Sequence, residues 1–288
     1  MIELYVSDIH YRYEEPQAED LLLQVATSLK PDILFLGGDI LDFYAVSTFN
    51  KDPRRKLQLQ EELDYTSEHI QALLDCSQPK EAYFQPGNHE ARLQKYLWSR
   101  APELAGLRSL DLMPLLGLGG VTFLAEGSPL RIGELYHIHG HELSGGAAPA
   151  KTIYSKAPGN IICGHYHKIE VHYHRTLAGK THGVWTNGCL CTLTPEYLMF
   201  PQWTQGFSVI DYSPSGFFHV DQIPLFLEGD TLNCMVRGQL FTARKGDSIC
   251  QTPIIPKEKQ STQVTSQKSS PNQKSSQVSS KRKASKPR

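Results

Sequence analysis

Asp, His and Asn side chains recur in five short clusters over the first 167 residues, each at or near the end of an apolar run. They are Asp8-Ile9-His10, Gly37-Gly38-Asp39-Ile40-Leu41-Asp42, Gly87-Asn88-His89-Glu90, His139-Gly140-His141 and Gly164-His165-Tyr166-His167. Carboxylates, an amide oxygen and imidazoles are the donors that gather divalent ions of hard to borderline character. In a strand that runs out into a loop, residues i and i+2 face the same way. Asp8 with His10, and His165 with His167, can then each share one ion. Asp39 follows two glycines that let the backbone turn tightly, and a carboxylate there can bridge two cations. Asn88 adds a ligand oxygen without charge, and His139 ends an apolar strand. Singly, each cluster has an ordinary reading: Gly87-Asn88 is a turn signal, Asp39 with Asp42 a turn or cap, a lone His10 or His139 a structural histidine. All of those readings would have to hold at once.

The elements that must position these residues are short. Residues 2–6 and 32–36 read as buried strands ended by Asp or Gly, with a helix over 18–30 between them. A second helix spans 55–74, entered through Asp52-Pro53, followed by a strand at 81–85 and a helix at 90–98. Short helices and loops lead to about residue 118. Strands then dominate, at 121–125, 134–139, 160–163, 168–174, 182–187, 207–212 and 217–221, with a helix near 148–156. Early βα units before a strand-rich half imply two packed sheets with helices outside. That assigns one domain to 1–225, an extension to 226–255 that reads as a hairpin on the domain edge, and a tail to 256–288.

At 288 residues, 40% apolar and 20% charged, the composition is that of a soluble globular protein. No run approaches the roughly 18 apolar residues of a membrane span. Met1 leads directly into the first strand, which reads as a cytosolic chain without a signal peptide. Six cysteines show no CxxC pair and no dense framework, the pattern of free thiols in a reducing compartment. Strand alternation puts Cys189 and Cys191 on one face, where buried packing is the reading preferred over a zinc site. The net charge of −1 hides a tail of +8, which leaves −9 for residues 1–255. The Ser/Gln/Lys-rich tail has too few apolar residues to offset its ordering entropy and reads as disordered. Its cations permit unspecific nucleic-acid contact, without aromatic residues for stacking.

Taken together, the five clusters resemble the calcineurin-like metallophosphoesterase superfamily, whose pattern is DxH, GDxxD, GNH(D/E), HG and GHxH. The likeness covers about residues 1–190 and implies an α/β fold, a four-layer α/β/β/α sandwich of two mixed sheets. By motif, it implies one metal ion on Asp8, His10, Asp39 and His167, and a second on Asp39, Asn88, His139 and His165. His89 would then be the general acid over the phosphate, with Asp42 orienting it. The donor set suits manganese foremost, with iron, zinc, cobalt and nickel as alternatives.

The implied reaction is direct attack of a metal-bound hydroxide on a phosphoester. A phosphodiester of a nucleotide or nucleic acid is the leading substrate. A phosphomonoester of a phosphoprotein or small metabolite is the alternative. A non-catalytic scaffold, as in a retromer subunit of the superfamily, is the reading from another class. Protein Ser/Thr phosphatases share GNHE but carry Arg directly after the second Asp of GDxxD, where this chain has Phe43. The spelling from Gly87 to Leu93 looks more like small bacterial and phage phosphoesterases. Arg54, Arg55 and Arg92 are the candidate substrate contacts. His137, His172 and His174 read as projecting from a sheet face, and His69, His182 and His219 have no evident partner.

Overall fold

β1 (Ile2–Val6) and β2 (Ile33–Leu36) are buried along nearly their whole length, and their alternation decides the layering. Leu4, Val6, Leu34 and Leu36 face one apolar core, while Tyr5 and Phe35 face another. A strand with an apolar core on each side belongs to the middle of a sandwich. The computed structural model describes residues 1–52, 58–143, 145–195 and 200–246.

The first sheet has six strands in the order β11-β10-β1-β2-β3-β4. They include β3 (Glu81–Phe84), β4 (Val121–Phe123), β10 (Gly206–Tyr212) and β11 (Phe218–Pro224). β1 to β4 are mutually parallel, and β10 and β11 add an antiparallel flank. The second sheet runs β5 (Leu130–Ile132), β6 (Leu135–Ile138), β7 (Ile161–Cys163), β9 (Thr181–Thr186), β8 (Glu170–Arg175). Its centre, β6-β7-β9, is parallel. Tyr5, Phe35, Ile162, Trp185 and Ile210 fill the space between the sheets.

Helices α1 (Pro16–Leu29) and α2 (Leu59–Ser77) bury Leu21, Leu22, Leu63 and Ile70 on the outer face of the first sheet. α5 (Pro149–Lys156) covers the second sheet through Ala150 and Ile153. The result is the mixed four-layer arrangement expected. α3 (Ala91–Arg100) and the short α4 (Leu112–Leu116) fill the path from β3 to β4.

Several details differ from the sequence reading, among them β5, which that reading does not include. Residues 226–246 form a three-stranded sheet rather than a hairpin: β12 (Phe226–Glu228), β13 (Thr231–Val236) and β14 (Gln239–Arg244). It seats Leu232, Cys234, Val236 and Phe241 in the core that α1 covers. His69 has a partner after all, since its Nδ1 lies 2.6 Å from Glu19 Oε1. His137 does not project from a surface. It is fully buried between the sheets, with Nε2 2.8 Å from Glu3 Oε1 and its ring stacked on Phe35. The second helix begins at Leu59, and its expected entrance at Pro53, with Arg54 and Arg55, lies outside the described residues, as does the basic tail.

Candidate metal centre

Parallel strands β1, β2, β3, β6 and β7 all end at the same edge of the sandwich, and each delivers one of the five motifs there. The carboxyl ends of parallel strands are where open α/β sheets place their ligands. Asp8 and His10 meet as expected, but not through strand alternation. The chain has left the strand, and both residues are left-handed, with φ of 55° and 51°. Asp39, His165 and His167 share that conformation, at 52°, 68° and 54°. Non-glycine residues are uncommon there and cost about 1–3 kcal/mol each, so the surrounding bonds must hold them.

Those bonds are visible. Asp8 N donates to Gly38 O at 2.9 Å, and Asp8 accepts the His165 N–H at 2.9–3.0 Å. Glu90 is nearly fully buried and accepts four main-chain N–H groups. Its Oε2 takes Asp39 and Gly87 at 2.9 and 2.7 Å, and its Oε1 takes Ile40 and Leu41 at 2.8 and 3.0 Å. One carboxylate thus fastens the GDxxD loop to the GNHE turn. Glu62 continues the work, with Oε1 accepting from Asp42 N at 3.0 Å and Phe43 N at 2.6 Å. Burial pushes the Glu62 carboxyl up to about 7. Gly87 and Gly164 are needed for close approach: a Cβ on either would lie 2.3–2.4 Å from a carboxylate oxygen of Asp39 or Asp8.

The candidate ligands fall into two groups. Asp8, His10 and His167 form one, with His167 Nε2 3.2 Å from both His10 Nε2 and Asp8 Oδ1. Asp39, His139 and His165 form the other, joined by Asn88. In that second group His139 Nδ1 donates to Gly37 O at 2.8 Å, so Nε2 is the nitrogen turned to the site. It lies 3.2 Å from Asp39 Oδ2 and 3.3 Å from Asn88 Oδ1. A cation that displaced the Nε2 proton would find this nitrogen and two oxygens converging in a buried place.

The imidazoles show the same pull on positive charge. Burial opposes a charge on His139, yet the neighbouring Asp39 carboxylate reverses this and pushes it up to about 10. His167 follows the same pattern, burial against Asp8, and also reaches about 10. Burial and then the nearby His139 push His165 down to about 4, which keeps it a neutral donor. His141, beside Glu142 at 3.7 Å, stands at the edge of the second group.

His89 is placed by contacts on both of its nitrogens. Nδ1 lies 3.1 Å from Asp42 Oδ1 and 3.0 Å from Asp42 O, while Arg92 Nη2 donates to Nε2 at 2.8 Å. Its main-chain N–H donates to Asp39 Oδ1 at 2.9 Å. Asp42 Oδ1 also sits 3.3 Å from His10 Nδ1, at ion-pair distance but without hydrogen-bond alignment. Burial resists the Asp42 charge, but its contacts with His10 and His89 hold the carboxyl well below the usual range. Arg92 Nη1 donates to Asp42 O at 2.7 Å and its guanidinium lies over Phe49.

The seven ligand candidates, His89, Asp42 and Arg92 are therefore in one place. Sequence reading missed Glu90 and Glu62. An acid at a helix start, or one turn into a helix, looks like any first-turn acid.

A two-sheet sandwich with two Asp/His donor groups at one strand edge is an architecture suited to a pair of divalent ions. The chain belongs to the calcineurin-like phosphoesterase family, whose model matches residues 4–175. That family binds a pair of divalent ions, and the Asp and His side chains here are placed for such ions. No curated protein matches the chain. Among solved structures it is similar to a mutant of Vps29 from Entamoeba histolytica, at 14% identity over 85% of this chain and 98% of that one, with a TM-score of 0.40. It is also similar to YfcE, a phosphoesterase from E. coli, at 15% identity over 85% and 99%, with a TM-score of 0.39. A dimetal phosphatase from Danio rerio gives 13%, 85% and 98%, with a TM-score of 0.39.

Proposed function

We propose that the protein hydrolyses a phosphodiester of the nucleotide or nucleic-acid class. The observation that carries a catalytic reading is the placement of His89, gripped by Asp42 at 3.1 Å while its backbone is tied to Asp39 at 2.9 Å. A binding scaffold has no use for such a device. Asp8, His10, Asp39 and His167 would hold one divalent ion, and Asp39, Asn88, His139 and His165 the other, with manganese the leading choice for this donor set. Two such ions lower the pKa of a water and neutralise charge on the phosphoryl oxygens.

The chain's own residues do the rest. Asp42 and its carbonyl fix the Nδ1 proton of His89, so Nε2 is the atom that would carry a proton to the departing oxygen, once Arg92 has left it and it has taken one up. Arg92 now covers Nε2 at 2.8 Å. It must exchange that contact for a phosphoryl oxygen as substrate arrives, which makes it the substrate grip. The place of a second guanidinium, directly after Asp42, is the fully buried ring of Phe43. One guanidinium suits the single charge of a diester better than the double charge of a monoester. Arg54 and Arg55 remain candidate contacts outside the described residues. Five described cysteines are free, and no described helix is long and apolar enough to cross a membrane, which supports action in a reducing compartment such as the cytoplasm.

The test is hydrolysis of bis-p-nitrophenyl phosphate and p-nitrophenyl phosphate side by side, on metal-stripped protein and after manganese is restored. Restored diester cleavage with little monoester cleavage is expected. Monoester cleavage alone would move the reading to a phosphatase. Neither activity from a protein holding two ions would favour a scaffold.

A further inference from the structure

The described free cysteines fall into two kinds. Cys76 and Cys234 pack with the core that α1 and α2 cover, and Cys163 packs in the core beneath α5. Cys189 and Cys191 are as deeply buried, at 0% and 4% exposure, yet neither belongs to an apolar core. The chain around them is extended, pinned by isolated bridges from Cys189 to Gln205 and from Cys191 to Glu14. Alternation therefore gives both thiols one face and turns Leu190 into the core. The face they share is occupied by His167. Its Nδ1 lies 3.8 Å from Cys191 Sγ, and one atom from each of the three residues falls within 4.8 Å of the others.

We propose that His167 Nδ1, Cys189 Sγ and Cys191 Sγ form a third cation site, built for a thiophilic divalent ion such as zinc. Packing alone explains buried thiols, but not two thiols and an imidazole nitrogen converging outside every apolar core. Sulfur donors select zinc and softer ions over manganese, so this site differs in chemistry from the oxygen-rich groups beside it. A Zn–S bond of about 2.3 Å asks only a modest contraction of the three donors. Trp203, with its ring 4.3 Å from that of His167, covers the imidazole.

The site has a cost that the geometry makes explicit. His167 presents Nε2 to Asp8 and His10 at 3.2 Å and Nδ1 to the thiols. Serving both sides makes it a bridging imidazolate. With an ion already on Nε2, each zinc taken up would release three protons, two from the thiols and one from the ring, and no electrons would move.

The full chain saturated with zinc(II) and freed of excess by gel filtration should contain a third zinc beyond the two of the neighbouring groups. Its zinc K-edge absorption spectrum should show a sulfur shell at about 2.3 Å. Replacing both residues, Cys189→Ala with Cys191→Ala, should lower the content by one ion and erase that shell, whereas Cys76→Ala should change neither. A wild-type protein with two zincs and only nitrogen or oxygen neighbours overturns the site. So does a sulfur shell that survives the double replacement. The wild-type spectrum decides even if the double variant fails to fold. Because the readout is independent of hydrolysis, failure here leaves the phosphodiesterase reading separately testable.

Discussion

In the group around Asp39, the histidine His139 is braced by a main-chain oxygen, Gly37 O, at 2.8 Å. In the group around Asp8 the braces are side chains: Asp42 beside His10 at 3.3 Å and the thiol of Cys191 beside His167 at 3.8 Å. A carbonyl brace cannot be titrated, oxidised or exchanged by mutation. Both side-chain braces can be titrated or exchanged and the thiol can be oxidised, and partners behind a ligand set its tautomer and basicity. The Asp39 group is thus fixed by the fold, whereas the Asp8 group is open to adjustment.

The hardest blow to this contrast is Asp39→Ala, because the proposed reading has that carboxylate serve both ions. Metal analysis should show both ions lost, with hydrolysis down by about a thousandfold or more. One ion kept at full occupancy would mean Asp39 serves only its own group. His89→Asn should leave both groups loaded while turnover falls by about 10²–10⁴-fold. Undiminished turnover would remove His89 from the chemistry.

Asp42→Asn sharpens the comparison. It should weaken one ion by about 10- to 100-fold and leave the other untouched, splitting a manganese titration into two phases. Equal weakening of both would contradict the independent braces.

Glu62→Gln has the smallest effect on turnover but a distinctive one on stability. The carboxyl rises from an ordinary 4.5 to about 7 in the fold. Between those values the folded state holds more proton than the unfolded one, so this group makes stability fall as pH rises through that window. Below pH 4.5 the wild type and the variant should match; above pH 7 the variant should be the more stable, by about 1–3 kcal/mol. Chemical denaturation at pH 4 and pH 8 reads the difference, and an advantage at low pH would reverse the assignment.

The contrast also marks how far sequence reading reached. The candidate ligands were legible because each motif is contiguous and sits at the end of an apolar run, as with Leu34-Phe35-Leu36 before Asp39. What holds them was not legible. Glu90 reaches back 51 residues to Asp39, and Gly37 lies 102 residues from His139. The left-handed backbone at Asp8, His10 and Asp39 was hidden too, because neither Asp nor His advertises it as Gly would. β1 and β2 were legible from their unbroken apolar runs, whereas the short, half-exposed β5 was not. β12 was not, since Phe226, Leu227 and Glu228 are all exposed and leave no alternation to read.

The strand order carries a timing consequence. β1 is complete at Val6, but one of its two neighbours, β10, begins only at Gly206. At about 5–20 residues per second, ribosomal synthesis leaves that side of β1 without its partner for roughly 10–40 s. During that interval the nascent chain carries an apolar strand with an open edge, the kind of surface that invites pairing with other chains.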